Sequence, residues 1–470
     1  MALHPIDGRY RVPELENYIS EEANLKYILK IELAHIETME KRNICPKGTY
    51  DSISQRASQI TADMWEEKQK DPKYKHNIRA LMALINESLP DNMKGFFHLA
   101  YTSYDAIDNG YILGVKDATH EIVIPDMLSF GYTLLDLSKK YKSAVQIGRS
   151  HGQHGEPTTF GREIAYYIDR WGKGIRRIKE AADNFEGKIA GAMGTKASLD
   201  LLGDPNELER EVLESVGLKP ARIATQIVQP EEFSNYFSQL LISFGTLNDL
   251  SNSMRHLART EIGEIALEAG EGHGRSSTML HKGMSEGGVI IGNPEDFENI
   301  CGQYRAVMPH IISVYLNQES EHNRDIRNSA PERYYKPEIL DAFVYSVRRA
   351  DKAMKNLRAN KKTMRSRVEN SWHLLMEPAY IALALDGETN AQEYVREAMK
   401  AYGNFKAVLE KDEKLKKAIS ALPDEKRKIF ESPMNYIGES EKQPEKIISF
   451  WNQKFSEIEK EITLKAFNHY

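Results

Sequence analysis

Cysteine is nearly missing: Cys45 and Cys301 are the only two in 470 residues. Two thiols cannot build a disulfide framework or a cysteine-based zinc site, and their scarcity fits a reducing compartment. A surplus of either charge is missing too. The 63 Lys and Arg against 69 Asp and Glu leave a formal charge of −6. That balance favours neither nucleic acid nor a basic partner, and leaves room only for a local basic pocket that takes a small anion. No apolar run approaches the roughly 18 residues that a membrane span needs. The opening stretch, Met1 to Val12, has no apolar segment of the secretory-signal kind. The expectation is a cytoplasmic protein without membrane contact. Internal repeats, low-complexity tracts and a regular alternation of strand and helix are also absent, and the last of these argues against a parallel sheet.

What is present is ordinary globular composition, 41% hydrophobic and 28% charged. At about 150 residues per domain, the length suggests about three domains. Helical periodicity dominates. Phe233, Tyr236, Phe237, Leu240, Leu241, Phe244, Leu247, Leu250, Met254 and Leu257 step by threes and fours, one apolar stripe on a helix of about 30 residues that continues towards Glu264. Such length means bundle packing. A second stripe runs from Ile339 to Leu357, with Pro337 expected in its first turn. Helices are also expected over Met127–Tyr141 and Glu163–Phe185, and over Cys301–Leu316 with a kink at Pro309. Ser143–Ile147 is a short strand signal. Three polar, glycine-rich interruptions, 148–161, 187–198 and 269–294, are longer than packing requires, so they are candidate functional loops. Beyond about residue 356 the chain turns rich in Lys and Glu and reads as a small separate helical domain.

Several segments carry side chains suited to chemistry. Ser150-His151-Gly152-Gln153-His154 offers an acid or base near neutral pH. As a metal site it lacks a third ligand, so no metal is expected. Gly274–Gly283 holds Ser276, Ser277, His281 and Lys282 between glycines. It lacks the phosphate-loop pattern, but a serine beside a lysine and free amides can serve as a base with an anion-stabilising loop. Arg324, Ser329 and Arg333 are either a solvated turn or a grip on a phosphate or carboxylate. Thr102-Ser103 with Asp105 and Asp108 reads as a helix cap and first turn, and Arg9-Tyr10 as an N-terminal turn, unless either binds a ligand.

Taken in order, Pro5–Tyr10, Lys75-His76-Asn77-Ile78, Thr102-Ser103-Tyr104-Asp105, Gly148–Gln153, Gly187–Gly194, Thr225-Gln226, Ser276–Lys282 and Asn293–Asn299 resemble the motifs of the fumarase/aspartase superfamily, over the span up to about Arg333. The resemblance implies an all-α fold of three helical domains, at 1–101, 102–355 with its catalytic loop at 269–294, and 356–470. It also implies a homotetramer built on a central long-helix bundle, with active sites shared between subunits and no cofactor. The implied activity is elimination of fumarate from a succinylated adenine nucleotide, and also from a succinylated aminoimidazole ribotide of purine synthesis. Ser276 would then be the base, His151 the acid and Glu298 its polarising partner. Lys282 and Asn293 would hold the succinyl carboxylates, assisted by Thr102 and Ser103, and Ser150 would also bind the substrate. Gln226 and His76 would lie near the scissile bond, and Arg9, Tyr10, Arg324, Ser329 and Arg333 would hold the phosphate. The chain departs from the family pattern at Leu280, where proline is usual. It also departs at Gly283–Gly292, ten residues between Lys282 and Asn293 where one is usual. That insertion motivates an alternative, a related lyase acting on a different succinylated, phosphorylated amine.

Overall fold

The computed structural model describes residues 4, 8–268, 278–279, 285–286, 289–290 and 292–468. The proposed catalytic loop, with Ser276 and Lys282, lies largely outside them.

The fold is all-α. Its principal elements are α1 (Glu21–Lys41), α2 (Asn77–Asn86), α3 (Ser103–Ala118), α4 (Ile124–Lys140), the hairpin of β1 (Val145–Ser150) and β2 (Gln153–Thr159), α5 (Phe160–Asp183), α6 (Pro205–Ser215), α7 (Glu231–Leu257), α8 (Glu295–Val307), α9 (His310–Leu316), α10 (Ser329–Lys355), α11 (Met376–Leu385) and α12 (Lys442–Asn468). Sheets among the described residues are all two-stranded.

The expected α7 stripe is the bundle's spine. Tyr236, Phe237, Leu240, Leu241, Phe244, Leu247, Leu250, Met254 and Leu257 are all buried. Helices α5, α8 and α10 pack around it. One contiguous apolar core runs from Val12 through this bundle to Ile462.

Element boundaries depart from the sequence reading where packing overrides local signals. Helix α10 begins at Ser329, so Pro337 sits inside it rather than in its first turn. Burial of Tyr335, Lys336, Ile339 and Leu340 carries the helix through the missing amide. Pro309 ends one helix and opens another, giving α8 and α9. The segment read as a loop at 148–161 is mostly strand. β2 pairs antiparallel with β1 from Val145 against Thr159 to Ser150 against Gln153. Its β-branched Thr158 and Thr159, and the positive φ available at Gly152, support a tight hairpin.

Within 356–470, Leu375 to Ala418 form a core of their own. Helix α12 instead returns to the bundle, where Trp451 and Phe455 join the main core. Two glycines admit it. A Cβ on Gly172 of α5 would stand 2.3 Å from the Trp451 ring, and one on Gly131 of α4 would stand 2.7 Å from Phe455.

Candidate active site

The first group of side chains gathers at the N-terminus of α3. Thr102 and Asp105 form a capping box, with the Thr102 amide donating to Asp105 at 2.7 Å. Asp105 also accepts from Lys188 Nζ at 2.7 Å and from the amides of Ala190 and Gly191. Both charged side chains are fully buried. A buried ion pair persists only when its remaining lone pairs are satisfied, and here the backbone amides satisfy them. Asn109 clamps the Lys188 main chain, accepting from its amide at 3.0 Å and donating to its carbonyl at 2.7 Å. The glycine-rich loop 187–194 is thereby fixed on α3.

That loop in turn fixes Gln226, whose amide nitrogen donates to the Ala192 carbonyl at 3.1 Å. Arg324 donates to the Gln226 side-chain oxygen at 2.7 Å and lies over the Tyr104 ring, 3.2 Å from its centroid. Next to this pair is a cavity of about 130 Å³ whose lining includes Tyr104, Asp108, Tyr111, Ser329, Arg333 and Lys336. Arg333 is exposed and pairs with Glu21 at 2.9 Å. Burial pushes the Asp108 carboxyl up to about 6. His76 sits at the N-cap position of α2, and its side chain makes no capping bond there. Burial, followed by the positive fields of His98, Arg79 and Arg324, holds it below the ordinary imidazole range. The predicted residues His76, Thr102, Ser103, Gln226, Arg324, Ser329 and Arg333 thus come together at one end of the bundle.

The other predicted residues are elsewhere in the chain. Ser150 ends β1 and His151 opens the hairpin turn, where His151 has φ 54° and Gly152 φ 74°, and both side chains of the Ser150-His151 pair are exposed. A non-glycine residue in this conformation stores strain that a functional turn can use. Arg149 anchors the hairpin on the fully buried Glu264, donating through both Nη atoms at 2.9 and 2.5 Å. Asn293 donates to Glu295 at 3.3 Å. Glu298 is exposed and, among the described residues, pairs with Arg255 at 4.0 Å. Among the described residues no hydrogen bond or ion pair joins it to His151. Tyr10 packs edge-on against Tyr345 at 5.3 Å, with Arg9 5.9 Å from the Tyr10 centroid. Tyr345 lies about 24 Å along α10 from Ser329, at 1.5 Å per residue. Arg9 and Tyr10 therefore stand apart from Arg324, Ser329 and Arg333. Ser276 and Lys282 fall outside the described residues.

The sequence reading missed His98, Tyr104 and Lys336. His98 is bonded through Nδ1 to the fully buried Glu32 at 2.6 Å. Tyr104 forms the floor under Arg324, and Lys336 lies 3.9 Å from the centroid of the Tyr111 ring. Tyr104 was legible as the middle of Thr102–Asp105. The other two take their meaning only from helices distant in sequence. Among the described residues, no group of three or more His, Cys, Asp or Glu is placed to hold a metal ion.

A lyase family matches residues 8–308. The chain is 33% identical over 456 residues to an adenylosuccinate lyase of Pyrococcus abyssi, covering 96% of this chain and 98% of that one. It is 33% identical over 457 residues to the adenylosuccinate lyase of Pyrococcus horikoshii, covering 96% and 98%. A fumarate lyase structure from Mesorhizobium sp. BNC1 superimposes with TM-score 0.80 at 19% identity, covering 94% of this chain and 98% of that one. The chain is a lyase and belongs to this lyase family, within the fumarase/aspartase superfamily.

Proposed function

We propose that the protein eliminates fumarate from adenylosuccinate to leave AMP, and does the same to the succinylated aminoimidazole-carboxamide ribotide of purine synthesis, in the cytoplasm. The observation that carries this reading is the Arg324–Gln226 bond over Tyr104, next to the cavity lined by Ser329 and Arg333. Guanidinium groups and a hydroxyl suit a phosphate, and an aromatic floor suits a nucleotide. Relatives named for this reaction span nearly the whole chain.

The chemistry needs a base, an acid and a cradle for developing charge. Ser276 takes the proton from the carbon next to a succinyl carboxylate. The electron pair left behind forms the double bond of fumarate as the carbon–nitrogen bond breaks. His151, polarised by Glu298, gives its proton to the departing nitrogen. Lys282 and Asn293, with Thr102, Ser103 and Ser150, hold the carboxylate on which charge accumulates.

The bundle's length supports a shared site. Gln226 precedes α7 and the Arg149–Glu264 anchor follows it, so roughly 40 Å of helix separates the nucleotide end from the His151 hairpin. A homotetramer would bring the opposite ends of different copies together. Ile242 on α7 and Ile312, Tyr315 and Leu316 on α9 give the bundle an exposed apolar face of the kind an oligomer covers.

The test is to incubate the purified protein with adenylosuccinate, without added metal, and follow AMP and fumarate by chromatography. Rapid release of both supports the reading. No release from a folded protein favours the second reading, a different succinylated phosphate admitted by the insertion Gly283–Gly292, and a panel of such compounds then decides.

A further inference from the structure

A strained piece of backbone leads into the α3 cap. His98 has φ 64° and Ala100 φ 61°, both in the left-handed region that side chains disfavour. Such a residue persists only where its surroundings over-determine it. Three contacts do so here. Glu32 accepts from, or shares a proton with, His98 Nδ1 at 2.6 Å. His35, three residues on and on the same face of α1, bonds the Leu99 carbonyl through Nε2 at 2.9 Å and stacks on Tyr101 at 3.9 Å. Ser198 donates to the Ala100 carbonyl at 2.7 Å.

Glu32 is fully buried, and among the described residues its second oxygen has no hydrogen-bond partner. A buried carboxylate in that state needs a cation, and His98 is the group bonded to it. With Nδ1 so used, Nε2 is the nitrogen left for a ligand, and among the described residues it has no partner. His98 is also one of the charges acting on His76. We propose that Glu32 is a positioning residue of this site: it holds His98 as the cation of the His76/His98 pair, with Nε2 left free as a donor to the substrate's anionic part.

The groups facing His98 agree with this division. From α1 they are Glu32 and His35, from α3 Asp105, and at the start of α2 His76. Burial opposes the charged imidazole, but Glu32 overcomes it and raises His98 above its ordinary value, with Asp105 adding to the effect. The Asp105 charge is already matched by Lys188. Burial keeps His35 neutral, down to about 4. The two imidazoles near the cleft are therefore driven apart, His76 towards neutral and His98 towards charged.

The role in turnover rests on the lyase reading above, whereas the charge state does not, so two measurements separate them. Diethyl pyrocarbonate acylates only neutral imidazole, and peptide mass spectrometry locates the product. In the unmutated protein, His98 should become reactive at a higher pH than His76. In Glu32→Gln its reactive range should move down by about one pH unit or more, the size of a lost opposite charge. The same variant should lose tenfold or more in kcat/KM at pH 7.5, with the alkaline limb of its pH profile displaced to lower pH. Glu32→Asp, which keeps the charge, should recover most of both. The reverse order of reactivity in the unmutated protein overturns the proposal even if Glu32→Gln does not fold. So does a Glu32→Gln variant whose reactivity and pH limb match the parent. Failure of the proposed function would instead appear as the expected reactivity order with no cleavage of adenylosuccinate.

Discussion

Arg333 shows how much a single side chain at this site can be asked to carry. It is exposed and, among the described residues, pairs with Glu21 at the surface, so its loss should cost little stability. A charge-assisted contact to a phosphate is worth about 1.5–3 kcal/mol. Arg333→Ala should therefore raise KM for a phosphorylated substrate by roughly ten- to a hundredfold while leaving the melting temperature near that of the parent. An unchanged KM would remove Arg333 from the phosphate group. Ser276→Ala tests the other half of the chemistry. It should abolish turnover and spare nucleotide binding, measured by calorimetry with AMP, because only the proposed base is removed. At this scale the sequence was informative wherever a polar residue had no packing reason to stand in its place. Arg324 was legible in that way, and Gln226 through the Thr225-Gln226 pair that resembles the superfamily's motif. His98 was not, because nothing within several residues of it reveals the carboxylate on α1 that gives it a charge.

At the scale of elements, apolar period settled the helices and packing settled their ends. The α7 stripe was readable because every third or fourth side chain had to enter the same core. The start of α10 was not, because its first turns are held by contacts with other helices that outweigh the local signal of Pro337. The C-terminal helix depends on a fit of the same kind. Gly172 leaves space for the Trp451 ring, and the indole N–H donates to Asp169 at 3.1 Å. Gly172→Ala would place a methyl against a rigid ring and should destabilise the protein by about 1–3 kcal/mol. Urea unfolding followed by circular dichroism reads that loss. Unfolding identical to the parent would mean that α12 does not pack on α5 in solution.

For the whole molecule, the separation of the two groups of site residues is the consequential feature. Some 40 Å of α7 cannot be bridged by any side chain, so one copy by itself cannot bring Gln226 and Arg324 to His151. The exposed apolar face at Ile242 offers the test. A charge at an exposed position of an isolated chain shifts stability by only about 0.5 kcal/mol. Ile242→Lys should keep the helical content, reduce the mass seen by sedimentation, and lose activity with it. Full activity in a dissociated variant would overturn the shared site.

By itself the sequence determined that this is a long-helix bundle and a member of a lyase superfamily. It did so because apolar period and the order of short polar motifs are both written along the chain, without reference to what lies beside them. It also pointed to Arg324, Ser329 and Arg333 as one group. Only the tertiary structure decided which of the marked residues meet. It set Lys188 inside the protein against Asp105, put His151 on a strained hairpin tip far from Gln226, left Glu298 beside Arg255, and gave His98 its carboxylate. The physical reason is that charge pairing and burial depend on distances between helices far apart in sequence, and no local pattern encodes those distances.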